Sequence, residues 1–94
     1  MISEVTDEEI KVDIMNKLLR KGCWKAKYLP VDTLVNWFAK KVKKDGKRVR
    51  KIVKELVDDR YLLLHKGGQT VSLNPARKGE IIEYIERVVE FRKS

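Results

Sequence analysis

Residues 61–73 read Tyr-Leu-Leu-Leu-His-Lys-Gly-Gly-Gln-Thr-Val-Ser-Leu, and the glycine pair at the centre dictates how the two halves meet. With Gly67-Gly68 as a two-residue turn, Lys66 faces Gln69, His65 faces Thr70 and Leu64 faces Val71. Leu63 then faces Ser72, and Leu62 faces Leu73. Leu62, Leu64, Val71 and Leu73 fall on one side of the ribbon, and Leu63, His65, Thr70 and Ser72 on the other, towards solvent. A slip of one residue would mix the two sets, so the pattern specifies its own register.

Helices flank this hairpin. Thr6 and Glu9 have capping-box spacing, with Val5 and Ile10 placed as a hydrophobic staple. Asp7, Glu8 and Glu9 put negative charge at the positive end of the helix dipole, while Lys17, Arg20 and Lys21 sit at the other end. Ile10, Ile14, Leu18, Met15 and Leu19 form the apolar stripe, and Gly22 stops the helix. Residues 23–29 alternate, with Trp24, Ala26 and Tyr28 between Lys25 and Lys27, which predicts a short strand or an extended link, ended by Pro30. A second helix follows over about 31–43, with Leu34, Val35, Phe38, Ala39 and Val42 inward and Trp37 at the edge of that core face. A third covers about 47–60, with Val49, Ile52, Val53, Leu56 and Val57 inward. Apolar phase alone would permit one long helix through both. Asp45-Gly46 argues for a break, because it is a turn dipeptide and glycine costs about 1 kcal/mol inside a helix. Asn74-Pro75 then opens a last helix over about 75–92, as N-cap followed by proline at the first helical position.

The chain is 94 residues, 43% hydrophobic and 38% charged. That is one domain, 1–94, with one modest core and no room for a separate cofactor module. The lone cysteine, Cys23, has no intrachain partner and reads as a small apolar filler. With the lone histidine, His65, it makes no recognisable zinc site, and no metal or cofactor is expected. No apolar run approaches a membrane span, and the N-terminus lacks the layout of a secretory signal, so a cytoplasmic protein is expected. Many charges with one glutamine, three asparagines and one cysteine resemble the composition of heat-adapted proteins.

Charge is the most informative quantity for function. Of 22 cations, nine lie in residues 40–54: Lys40, Lys41, Lys43, Lys44, Lys47, Arg48, Arg50, Lys51 and Lys54, with Asp45 the single anion among them. That stretch carries the whole net charge of +8, and the remainder is neutral. Scattered lysines would serve solubility. Concentrated cations without compensating glutamates form an electrostatic footprint for a polyanion.

The order helix, short strand, helix, tight turn, basic helix, hairpin, helix makes a mainly α fold with a small β-hairpin, an α+β class. From Thr6 onward it resembles the winged helix-turn-helix domain of small prokaryotic transcriptional regulators. The helix pair around Asp45-Gly46, the hairpin 61–73 and the exit Leu73-Asn74-Pro75 carry the likeness. The exit is similar to a Leu-Thr-Pro-x-Gly step, with Asn74 in place of threonine and Gly79 two residues further on. The resemblance implies double-stranded DNA as partner. It places Lys47, Arg48, Arg50, Lys51 and Lys54 on the recognition helix, and Lys66, Gly67, Gly68 and Gln69 on the wing. Lys40, Lys41, Lys43 and Lys44 would then meet the sugar–phosphate backbone. It also implies a homodimer through the last helix, where Ile82, Tyr84, Val89 and Phe91 exceed what one side of a small core absorbs.

Other function classes compete. No His–carboxylate–nucleophile set, phosphate loop or carboxylate pair supports an enzyme, and no small-molecule ligand is inferred. A protein–protein module docking on an acidic partner, or an RNA-binding winged helix, remains open. The basic face lacks the amides that read adenine and the carboxylates that read cytosine, so modest specificity with a bias to guanine is expected. Gln69 and Asn36 are the nearby amides.

Overall fold

The computed structural model describes residues 6–24, 27–39 and 46–93, the last without the side chains of 91–93. Four helices and a small antiparallel sheet alternate in the order α1 (Asp7–Arg20), β1 (Leu29–Pro30), α2 (Val31–Ala39), α3 (Gly46–Asp58), β2 (Leu62–His65), β3 (Thr70–Leu73) and α4 (Lys78–Lys93). The class is α+β. The expected N-terminal helix forms with its capping box: Thr6 Oγ1 accepts from the Glu9 N–H at 3.1 Å, and Glu9 Oε1 accepts from the Thr6 N–H at 3.1 Å. Its far end closes in a Schellman turn, with the Cys23 N–H donating to Leu18 at 2.9 Å and the Gly22 N–H to Leu19 at 3.0 Å. Gly22 sits at φ +66°, which is why glycine stops this helix.

The core is built from Ile10, Ile14, Met15 and Leu18 of α1, Leu34 and Phe38 of α2, Val49, Ile52 and Leu56 of α3, and Ile81 of α4, closed by Leu62, Val71 and Leu73. Val12, which falls outside the expected α1 stripe, is also buried, because α1 packs against both α3 and α4. α2 and α3 are separate elements lying side by side: a Cβ added to Gly46 would come within 3.3 Å of Val35 Cγ1. Glycine at this position therefore allows the close approach of the two helices. Val5, Asp45 and Lys40, Lys41, Lys43 and Lys44 lie outside the described residues.

The hairpin has the register read from its sequence, Leu62 to Leu73, Leu63 to Ser72, Leu64 to Val71 and His65 to Thr70. The turn differs. Pairing ends at His65–Thr70, and Lys66, Gly67 and Gly68 form a tight turn at φ +52°, +67° and +90°. Sidedness differs too. Leu64, expected inside, is 48% exposed, because it lies near the tip of an edge strand beyond the helical cover. Thr70 and Ser72, expected outside, are buried at 8% and 0% exposure. On that face His65 hydrogen-bonds with Ser72 and is covered by the Tyr28 ring, while β1 pairs with the other edge of β3, giving the order β1-β3-β2.

That third strand takes up only the end of the stretch expected at 23–29 as a short strand or extended link. It is Leu29–Pro30, preceded by a single parallel bridge from Trp24 to Leu73. Pro30 is the last residue of this strand, as expected, and an edge strand tolerates it because its outer side needs no N–H donor. The Val31 N–H continues the pairing by donating to the Gln69 carbonyl at 2.9 Å. Beyond β3, Asn74 Oδ1 accepts from the Ala76 N–H at 3.0 Å, and Pro75–Arg77 make one 3₁₀ turn before α4 begins.

α3 also ends in a Schellman turn, with the Tyr61 N–H donating to Leu56 and the Arg60 N–H to Val57, both at 3.0 Å. Here the left-handed position is Arg60, at φ +68°. A side chain there is strained by about 1 kcal/mol or more. Arg60→Gly is therefore expected to raise stability by about 0.5–1 kcal/mol, read as a shift of the urea midpoint at unchanged slope.

Candidate nucleic-acid interface

α3 is amphipathic because its apolar residues recur at helical spacing and its cations fill the remaining positions. Val49, Ile52, Val53 and Leu56 face the core, and Lys47, Arg50, Lys51 and Lys54 are exposed. Lys47, Lys51 and Lys54 follow one helical row and have no ion pair among the described residues. Like charges at i, i+4, as in Lys47/Lys51 and Arg50/Lys54, cost a helix about 0.2–0.5 kcal/mol per pair. No ion pair among the described residues offsets that cost at the lysines.

The two arginines are engaged differently. Arg48 Nη2 lies 2.8 Å from Asp7 Oδ1 in the first turn of α1, and its Nε–H donates to the same oxygen at 2.9 Å. Arg50 Nη2 donates to Asp32 Oδ1, in the first turn of α2, at 2.7 Å. Both carboxylates also sit where the helix dipole favours negative charge. These pairs join residues 41 and 18 positions apart, and no local pattern could have found them. Arg48 is thus less available than the sequence suggests.

The hairpin tip comes to the same surface. Arg50 of α3 shares a groove of about 540 Å³ with Lys66, Gly68, Gln69 and Thr70 of the hairpin, and with Pro30, Val31 and Asp32. Two groups assigned separately along the chain are brought together here. Lys66 Nζ stands 5.1 Å from the Tyr28 ring, which in turn stacks on His65 at 4.8 Å. His65, expected on the solvent side, is half-buried and hydrogen-bonds with Ser72 Oγ at 2.8 Å, because Tyr28 folds over that face. Trp37, expected at the core edge, is 36% exposed, with Lys17 and Lys21 at 4.6 and 5.6 Å from its ring. Asn36 is exposed, as is Gln69.

On α4, Ile82 and Val89 are half-buried, and Phe91 falls outside the described side chains. Tyr84 is spent within the chain. Its O–H donates to Glu8 Oε1 at 2.7 Å, and its ring meets Tyr61 edge-on at 5.7 Å. A groove of about 450 Å³ lined by Asn16, Ile85, Glu86, Val89 and Glu90 runs beside them. Cys23 is fully buried, and burial pushes its thiol up despite the opposing pull of Lys27 and Lys21. It is packing, with a carbonyl that accepts from the Leu73 N–H at 2.7 Å. Among the described residues, no cluster of histidine, cysteine and carboxylate groups suits a metal ion, and no helix is long and apolar enough to cross a membrane.

Comparison with family models, with characterised proteins and with solved structures finds no match to this chain.

Tyr84 supplies a measurable signature of this packing. Burial, then the bond to Glu8, raises its phenol well above the ordinary tyrosine value. A raised folded-state value stabilises fully below the unfolded one, near pH 10, and is lost as pH rises beyond it. Stability is expected to fall as pH climbs above about 10, and Tyr84→Phe to flatten that fall, in urea titrations at pH 8 and 11.

Proposed function

We propose that this chain is a winged helix-turn-helix domain that binds double-stranded DNA, as a small transcriptional regulator or a DNA-binding protein of low specificity. α3 is its recognition helix and the hairpin its wing. The observation that carries the reading is the groove that sets Arg50 beside Lys66, Gly68 and Gln69, next to a helix face of lysines without an ion pair among the described residues. A helix of 13 residues is about 20 Å long and fits a major groove about 12 Å wide. Lys47, Lys51 and Lys54 then neutralise phosphates, and Arg50 lies between helix and wing, in reach of either backbone or guanine. Lysine-dominated contact raises affinity faster than discrimination, so preference among sequences is modest.

A homodimer through α4 belongs to the same proposal. With Tyr84 committed inside the chain, the pairing surface rests on Ile82, Val89 and Phe91. A two-fold axis there would set two half-sites about one helical turn apart.

Two measurements test this. Binding to random-sequence duplex is expected to weaken with salt at a log–log slope of roughly −4 to −7, for about five to eight phosphates neutralised. Lys47→Glu with Lys51→Glu is expected to abolish that binding at unchanged circular dichroism, because both side chains are exposed. Normal binding by the double variant, or equal preference for a matched RNA, refutes the assignment. Sedimentation at high micromolar concentration is expected to show twice the 11.0 kDa chain mass, and a monomer there refutes the dimer.

A further inference from the structure

We infer that Asp32 is an internal competitor for a DNA phosphate: it holds Arg50 in the groove between α3 and the hairpin tip, and duplex binding exchanges that carboxylate for a backbone phosphate. The inference rests on the DNA-binding reading above and adds to it a residue that tunes affinity.

Three features of the groove support the exchange. First, the pair that blocks it is easily opened. Arg50 Nη2 and Asp32 Oδ1 are 2.7 Å apart, but their side chains are 56% and 78% exposed, and ion pairs so well hydrated contribute little. A guanidinium grips phosphate in the same planar fork it offers a carboxylate, so the replacement costs Arg50 no hydrogen bonds.

Second, the groove attracts an anion after Asp32 leaves it. Lys66 lines it, and among the described residues its ammonium group meets the neutral ring of Tyr28 and no carboxylate. Val31 and Asp32 open α2 in the same wall, where the helix dipole favours negative charge. Third, an orphaned polar group waits there. Thr70 is 8% exposed and lies in the wall of this groove, and its Oγ1, shielded from solvent, has no hydrogen-bond partner among the described residues. Leaving a buried hydroxyl unpaired is costly, so a shift of this wall that lets Oγ1 reach a phosphate oxygen is favoured.

The test is fluorescence anisotropy of a labelled random-sequence duplex at 0.15 M salt, where exposed charges more than about 8 Å apart are largely screened. Asp32→Asn is expected to bind about two- to fivefold tighter than the unaltered chain, the range that loss of one exposed ion pair allows. Asp32→Glu, which restores the carboxylate, returns affinity towards the original value. Asp58→Asn makes the same charge change about 12 Å along α3 from Arg50 and is expected to gain less than half as much. In an Arg50→Ala background the gain from Asp32→Asn disappears, which isolates the pair from general charge effects. Equal gains from Asp32→Asn and Asp58→Asn, a gain that survives Arg50→Ala, or weaker binding by Asp32→Asn would overturn the exchange while leaving DNA binding in place. Absence of duplex binding by the unaltered chain and every variant overturns the DNA reading and the exchange together.

Discussion

Every residue of β3 is buried, and this central strand is hydrogen-bonded on both edges, to β1 and to β2. The rest of the arrangement depends on that placement. Through β1 it sets where α2 begins, since Val31 follows the strand directly and donates to the Gln69 carbonyl at 2.9 Å. Through β2 it aims the hairpin tip at the N-terminal half of α3. The Leu73 N–H meets the Cys23 carbonyl at 2.7 Å, so the same strand also fixes the end of α1. Four residues thereby position the ends of two helices and one turn around a common groove. A strand with both edges paired and no exposed residue has little freedom to slide, because slipping by one residue would strand Ser72, Thr70 and their neighbours among apolar contacts.

Carboxylates at the starts of α1 and α2 do two jobs in this fold. Asp7 and Asp32 satisfy the positive ends of their helices, and each also receives an arginine from α3. Exposed pairs of this kind contribute about 0.2–1 kcal/mol each, so they bias α3 without locking it. The lysines of α3 receive no such partner among the described residues. The lysine face therefore keeps its mutual repulsion while both arginines are paired, and the hairpin tip lies beside Arg50 at the same surface. The charge asymmetry lies between the two kinds of cation as much as between two ends of the chain.

The capping box of Thr6 and Glu9, the turn at Gly22, the register of the hairpin and the amphipathic face of α3 were all legible from sequence. Each depends on residues within a few positions of one another, or on a turn that brings them opposite, and backbone geometry then dictates the contact. Sidedness of the hairpin was not legible. Alternation separates two faces but cannot say that β1 and Tyr28 cover the polar one, which buries Thr70 and Ser72 and withdraws His65 from solvent. Pro30 ends β1 as its sequence position suggests, but that β1 pairs with β3 was not legible, because that pairing joins residues about 40 positions apart.

The candidate site divides in the same way. Nine cations crowded into residues 40–54 raised the expectation of a polyanion partner from sequence, because net charge and its position along the chain are properties of the sequence alone. Which of those cations remain available was decided only by tertiary structure. Arg48 and Arg50 meet carboxylates 41 and 18 residues away, and Tyr84, expected at an interface, meets Glu8 across 76 residues. Such pairings follow from how packed helices and a shared central strand bring distant side chains together, and no local spacing encodes them.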